Sequence, residues 1–349
     1  MSAIHSPENC TMHKEKLTRL TRSILSQPTA PFHEERVKAE IRLQLEKLRF
    51  VTLQEDTFGN LIARYSRGNA RPKFAFSVHM DHPGWVQKPG GAPGEMTFLG
   101  GVKKEYLDKG TVQSFGEFGM WNIPAFDVKD DKIYGRACDD LIGCSAMVAM
   151  LCDLEENSVN ASVIVLFTRA EEVGFIGAIL LAKSKFLPKN ITVLSVETSA
   201  ELLPAKMGAG PIIRVGDRSS IFDPEVTLQL SLLAKKNKIV HQRCLMSGGT
   251  CEGTAYQNFG IRTGALCVAL ANYHNCAAST QIVREFVSYS DYVGLIALCV
   301  AIVSAPTAPN TFHKDLRRDL EQIVRNYAVY YEANPALDEP KKASRKKAC

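Results

Sequence analysis

No stretch of the 349-residue sequence holds about 18 consecutive apolar residues, which excludes a transmembrane helix. The N-terminal segment MSAIHSPENCTMHKEK is polar and lacks the apolar core of a secretory signal. A cytoplasmic setting with no membrane partner is the expectation. There is no CxxC pair either. The ten cysteines are scattered, and several fall inside apolar patterns, where a free thiol behaves as a small hydrophobe. That argues against a disulfide framework and for a reducing compartment. A strong charge of one sign is also missing. The net charge is +5, from 42 basic and 37 acidic residues, and the tail KKASRKKAC carries five of the basic ones. Without that tail the chain is close to neutral, so no nucleic-acid surface is expected. No internal repeat is visible.

What is present is an ordinary globular composition, 45% hydrophobic and 23% charged. The chain is long enough to bury a large core and carry a second small unit. Residues 14–49 read as two helices around a turn at Pro28 and Pro31, and residues 51–80 as strands. From Pro83 to about Asp131 the pattern becomes glycine-rich, with short alternating stretches such as GEMTFLGGV and GTVQSFGEF, which predicts small β structure. After Tyr134 helices and strands alternate to about Ser304, which implies a mostly parallel sheet. Residues 311–333 read as a terminal helix. The expected fold class is α/β: a mostly parallel or mixed central sheet flanked by helices, with a small inserted β module. The expected division is a discontinuous body of residues 1–82 and 132–334, a module of residues 83–131, and a solvated basic tail of residues 335–349.

The chemistry is concentrated where apolar runs end. Glu171 and Glu172 follow SVIVLF, and side chains at such a strand end face the crevice where α/β sheets place ligands. Two adjacent carboxylates repel unless a cation or a shared proton holds them, although acids also favour helix starts. His79 and Asp81 close the run FAFSVHMD, two apart and so on one side of a strand, with His82 expected to point away. Asp139 and Asp140 open the apolar helix DDLIGCSAMVAML; one could cap it, but two exceed what a cap needs. His274 follows ALCVALANY, and Glu197 ends VLSVE. Imidazoles and carboxylates at several strand ends are the parts of a two-metal hydrolytic site, in which a carboxylate bridges the ions.

The chain resembles the dinuclear metallo-aminopeptidases of the glutamyl/deblocking, tetrahedral-aminopeptidase type, within the zinc exopeptidase superfamily that also holds aminoacylases and carboxypeptidases. The resemblance runs from about residue 16 to residue 305. It is carried by DTFGNLIARY, by KMGAGPIIRVGDRSSIFDPEV and by MSGGTCEGTAYQNFGIRTGAL as well as by the short motifs. It implies that Asp139 bridges two metal ions, that His79 and Glu197 complete one shell, and that Glu172 and His274 complete the other. It implies Glu171 as the general base acting on a metal-activated water, Asp81 as the residue orienting His79, and Asp140 as a supporting residue. It further implies two divalent ions per chain, zinc before cobalt or manganese, peptide substrates, and a homo-oligomer assembled through the 83–131 module.

Three positions depart from the family pattern. Glu197 stands where the aminopeptidase branch usually has aspartate, and glutamate is more typical of the carboxypeptidase and deacylase relatives. The GGT segment continues as Cys251-Glu252 where aspartate is usual, and His274 sits in an unusual YHNCA context. The expected function is metal-dependent removal of N-terminal residues from short peptides. A carboxypeptidase or N-acyl-amino-acid deacylase is the alternative, and an inactive binding or scaffold protein is the third reading.

Overall fold

The computed structural model describes residues 12–305 and 311–332. Helices α1 (Lys14–Leu25) and α2 (Glu35–Leu45) lead into strands β1 (Val51–Glu55), β2 (Leu61–Ser66) and β3 (Phe74–His79). Then come β4 (Gly84–Gln87), β5 (Met96–Leu99), α3 (Lys104–Leu107), β6 (Val112–Ser114), β7 (Phe118–Trp121), β8 (Phe126–Lys129) and β9 (Lys132–Gly135). Helix α4 (Cys138–Glu156), β10 (Ser162–Thr168), α5 (Ile176–Lys183), β11 (Thr192–Ala200), β12 (Ile212–Asp217) and α6 (Pro224–Lys236) follow. The remaining elements are β13 (Gln242–Met246), α7 (Glu252–Asn258), β14 (Arg262–Ala271), β15 (Glu285–Ser288), α8 (Tyr289–Ser304) and α9 (Thr311–Glu332).

The large sheet runs β1-β2-β10-β3-β11-β14-β15-β9-β8, with β12 on β14 and β13 on β12. Its centre is parallel: β10, β3, β11 and β14 all point the same way. These strands read as continuous apolar runs because helices cover both of their faces. One face packs on α4, which is buried nearly all round and lies between the sheet and helices α1 and α8. A helix apolar on every side can only be stable in such an interior. The other face forms a second core from Ile164, Leu166, Val193, Leu181 and Tyr256, under α5 and α7. Helix α6 starts at Pro224, and Asp223 caps it by accepting a hydrogen bond from Val226 N at 2.9 Å.

A separate antiparallel sheet, β5-β4-β7-β6, holds the small β structure. Trp85 anchors it, edge-on to Phe98 at 4.8 Å and to Trp121 at 4.4 Å between ring centroids. Strand β8 lies inside the expected 83–131 span but pairs with β9 at the rim of the large sheet. A second unit, distinct from the one that holds the elements before it, contains the last helix. Its helix α9 coincides with the one expected over 311–333 and exposes Leu316, Leu320, Ile323, Tyr327 and Tyr330. The basic tail at 335–349 and residues 1–11 lie outside the described residues.

Candidate metal centre

Parallel strands that start on one side also end on one side, and the candidate residues sit at those ends. His79 is the last residue of β3, Glu197 lies on β11, Glu171 and Glu172 follow β10, and His274 follows β14. Asp139 reaches them from the start of α4. His79 Nε2 lies 3.5 Å from Asp139 Oδ1, 3.6 Å from Glu197 Oε2 and 3.9 Å from Glu171 Oε2. His274 Nε2 lies 3.2 Å from Glu172 Oε1 and 3.6 Å from Asp139 Oδ2. Asp139 therefore turns one carboxylate oxygen to each imidazole. The donor atoms of His79, Glu171 and Glu197 all lie within 4.8 Å of one another, as do those of Asp139, Glu172 and His274. This grouping places Glu171 among the donors around His79.

Local sequence explains how each segment is shaped. The backbone at Asp139 (φ −84°, ψ 107°) and Asp140 (φ −115°, ψ 37°) is not helical, so the regular helix begins after them. Asp140 Oδ1 accepts from Gly143 N at 3.2 Å, in the manner of a cap, which leaves Asp139 free to face the imidazoles. A Cβ at Gly143 would collide with the Asp140 carboxylate, so glycine is needed there. Ala170 (φ +54°) and His274 (φ +54°) both hold left-handed backbone. For residues with a Cβ that conformation costs roughly 1–3 kcal/mol, and such strain gathers at functional sites.

Three findings differ from the expectations or go beyond them. Asp81 acts mainly on the backbone: its two carboxylate oxygens accept from Glu171 N and Glu172 N, each at 3.0 Å. His79 Nδ1 meets the Asp81 carbonyl oxygen at 3.2 Å, closer than the carboxylate at 3.6 Å. His82 does not point away, because β3 stops at His79. Its Nδ1 meets Asp139 O at 2.7 Å and its Nε2 meets Asn275 Oδ1 at 3.2 Å. Two buried acids with no motif also shape the site. Glu285 on β15 accepts from Cys138 N (2.7 Å), Asp139 N (3.2 Å) and His274 N (2.8 Å), tying two candidate segments together. Glu34 accepts from Arg169 Nε at 2.6 Å and from Ala170 N at 3.0 Å, which fastens the turn before Glu171 to the start of α2.

The electrostatics fit a cation. Burial pushes the carboxyls of Glu171 and Glu172 above their ordinary range, against the pull of His79 and His274. Burial also opposes charge on His79 and His274, but the facing carboxylates overcome it and raise both. In Asp139 the two imidazoles outweigh burial and hold the carboxyl below its usual value. Glu172 Oε1 and His274 Nε2 approach to 3.2 Å and yet neither has a hydrogen-bond partner. With Nδ1 donating to the Gly101 carbonyl oxygen, a neutral His274 turns its Nε2 lone pair toward Glu172 Oε1, and two buried acceptors aimed at one point are costly unless something positive sits between them. Nitrogen and oxygen donors of this kind suit zinc and its neighbours. Thiolate ligation gains no support. Burial pushes the thiols of Cys138, Cys251 and Cys276 up, the last to about 11, and no cysteine joins either donor group among the described residues.

Residues 102–284 match the family of M42 glutamyl aminopeptidases. The chain belongs to that family. The M42 match takes in Asp139, Glu171, Glu172, Glu197 and His274, whereas His79 and Asp81 precede it. A provisionally named aminopeptidase of Acetivibrio thermocellus is 30% identical over 187 residues, covering 50% of this chain and 56% of that protein. A second such protein, of Escherichia coli, is 26% identical over 51% of this chain and 50% of its own length. The chain thus spans about half the length of the curated relatives it matches. A likeness in fold extends over more of the chain. The TET1 peptidase of Pyrococcus horikoshii, described as assembling into a tetrahedron or a large octahedral shell, superposes with a TM-score of 0.69. It is 23% identical, over 82% of this chain and 99% of its own, and shows the same fold. Among the described residues no helix is long and apolar enough to cross a membrane.

Proposed function

We propose that this chain is a dinuclear metal-dependent aminopeptidase that releases N-terminal residues from short peptides. The observation that carries the reading is the Asp139 carboxylate, with one oxygen toward His79 and the other toward His274. His79 and Glu197 would hold one divalent ion, Glu172 and His274 the other, and Asp139 both. Zinc is the expected metal, and cobalt or manganese would suit the same donors. A bound pair of ions lowers the pKa of water and polarises a carbonyl. The chain supplies the rest. Glu171 is the more distant carboxylate from His79 Nε2, at 3.9 Å, so its assigned role is to accept a proton at Oε2 and pass it to the leaving amine. Burial raises its carboxyl, which makes it a better proton acceptor than an exposed glutamate. Asp81 holds the Glu171 and Glu172 amides and so sets the direction of both side chains.

Family membership favours the N-terminal reading over the carboxypeptidase, deacylase and scaffold alternatives. We further propose a homo-oligomer, by likeness to the assembling Pyrococcus peptidase, with residues 83–131 as the contact module, and a cytoplasmic setting. Peptides are its partners, with no role for nucleic acid or membrane. The test compares matched peptides with free and acetylated N-termini, after loading with zinc, cobalt or manganese and after chelation. Turnover of the free peptides only, abolished by chelation and restored by metal, is expected. Preference for the acetylated peptides, or full turnover by protein shown to be metal-free, would overturn the reading.

A further inference from the structure

Helix α9 lies beyond the M42 match, which ends at residue 284, and it carries an apolar stripe that the proposed reaction does not use. Leu316, Leu320, Ile323, Tyr327 and Tyr330 stand 4, 3, 4 and 3 residues apart. That alternation keeps them on one side of a helix and is the a/d repeat of a coiled coil. Their exposure runs from 46% at Leu316 to 78% at Tyr330. Among the described residues no other helix exposes more than one large apolar side chain. Scattered apolar side chains are ordinary on a surface, but a contiguous row marks an interface.

Several polar residues around the stripe are engaged within their own helix. Arg317 Nε donates to Glu321 Oε1 and Arg325 Nε to Gln322 Oε1, each at 3.1 Å, and Gln322 Nε2 donates to Asn326 Oδ1 at 2.8 Å. Recognition therefore falls to the stripe, with Val324 at its border and Val329 off it. Spacings of 3 and 4 fit a helix with the same repeat, whose side chains enter the gaps between these. Every copy of the chain carries that repeat. A membrane surface fits less well: the polar side mixes Arg317 and Arg325 with Asp319 and Glu321, whereas a helix lying on anionic lipid is rich in Lys and Arg there. Covering the five side chains on each of two copies would remove on the order of 1,000 Å² from water, the size that a specific interface needs.

We infer that α9 docks antiparallel on α9 of a second copy of this chain. Three features set the direction. The stripe runs from Leu316, Leu320 and Ile323 to Tyr327 and Tyr330, so opposed helices set rings against aliphatic side chains, and large against small fills the seam best. The segment KKASRKKAC follows at residues 341–349 with five basic residues. Two such segments would leave the same end of a parallel pair and repel, but leave opposite ends of an antiparallel one. The helix dipoles also oppose one another only when the helices are antiparallel. A seam of about two heptads is marginal between free chains and gains from a homo-oligomer that holds copies close. In that respect the pairing rests on the assembly proposed above.

The experiment places one reactive cysteine on the stripe of the full chain, in a background carrying Cys10→Ser and Cys349→Ser, and adds a short bis-maleimide. Ile323→Cys should join two copies covalently, well above the background without it. Leu316→Cys and Tyr330→Cys should not, because like positions near the ends of opposed helices stand roughly 15 Å or more apart. Adding Leu320→Glu and Tyr327→Glu to Ile323→Cys should cut the joined fraction about tenfold, since charges buried in the seam oppose pairing while glutamate keeps the helix. No joining at Ile323→Cys would overturn the inference, and so would joining at Leu316→Cys or a joined fraction that the two glutamates leave unchanged. So would binding to phosphatidylserine vesicles that Leu320→Glu/Tyr327→Glu abolishes in a chain that shows no joining. Light scattering separates this contact from the one proposed for residues 83–131. Joining at Ile323→Cys, in a protein whose Leu320→Glu/Tyr327→Glu variant is a monomer, keeps the α9 pairing and removes the role of the module. No joining in a protein of multiple mass does the reverse.

Discussion

The carboxyl ends of the parallel strands and the small antiparallel sheet follow opposite rules of construction. At the strand ends His79, Asp139, Glu171, Glu197 and His274 are buried together, and Ala170 and His274 hold left-handed backbone. In the small sheet the interior is Trp85, Phe98, Phe118 and Trp121, and the nearby charges Lys88 and Glu95 pair at the surface at 2.6 Å. The first region is unfavourable locally and persists only because the surrounding sheet and helices determine it. The second satisfies packing and charge with its own residues. Departures from local rules that cluster in one place mark where a protein works, and here they mark a single rim of one sheet. The two regions meet at Gly101, whose carbonyl oxygen lies 3.2 Å from His274 Nδ1.

The sharpest test of that contrast is Glu171→Gln. It should lower kcat by about 10²–10⁴ while metal analysis still finds two ions per chain. Loss of one ion would make Glu171 a ligand, as its place in the His79 donor group allows.

Glu285→Gln should act next most strongly. Glu285 accepts from three backbone amides that hold Asp139 and His274. Disturbing the support of a metal ligand typically weakens metal binding by about 10–100-fold, readable by competition with a chelator. Unchanged affinity would mean that the two segments hold their shape without it.

Glu34→Ala strikes the same rim from further away. It leaves the half-buried Nε of Arg169 and the buried amide of Ala170 without their acceptor, and should cost roughly 3 kcal/mol in denaturant unfolding. Because the turn before Glu171 loosens, kcat should fall more than KM rises.

Trp121→Ala tests the other region. Trp121 is 2% exposed in the small sheet, and its truncation should cost about 3 kcal/mol or more of local stability. The kcat for short peptides should stay within a few-fold of wild type at temperatures where the protein remains folded. A large loss of kcat there would break the contrast and make the small sheet part of the catalytic apparatus through Gly101.

The smallest effect is expected at Asp223, away from both regions. Burial works against its charge, but hydrogen bonds from Arg262 and from the start of α6 prevail and hold its carboxyl below the usual value. A carboxyl depressed by folding stabilises above its unfolded pKa, near pH 4, and loses that contribution as pH falls through the folded value. Asp223→Ala should therefore cost about 1 kcal/mol at pH 7, and the gap in thermal stability should narrow below pH 4.

Much of this was legible in the chain. Continuous apolar runs such as SVIVLF mark strands covered on both faces, and polar residues at their ends stand out against them. In this way His79, Asp139, Glu171, Glu172, Glu197 and His274 were readable as candidates. The doubled aspartate was readable too, and Asp140 proved to be the cap that its position allows. Three things were not readable. His82 was expected to continue a strand that ends three residues earlier. Asp81 was expected to serve the His79 ring, whereas its carboxylate serves two amides ninety residues on. Glu34 and Glu285 carry no local signature, since an acid at the start of a helix or of a strand is ordinary sequence.

The sequence by itself determined the order of helices and strands and which side chains would stand at strand ends, because those follow from local hydrophobic period and from what can be buried. Only the tertiary structure decided that Asp139 faces both imidazoles and that Glu285 clamps two segments. The reason is strand order. β10, β3, β11 and β14 lie side by side although loops and helices separate them in the chain, and backbone pairing between them sets which side chains meet. That pairing belongs to the whole sheet and has no counterpart in any short run of residues.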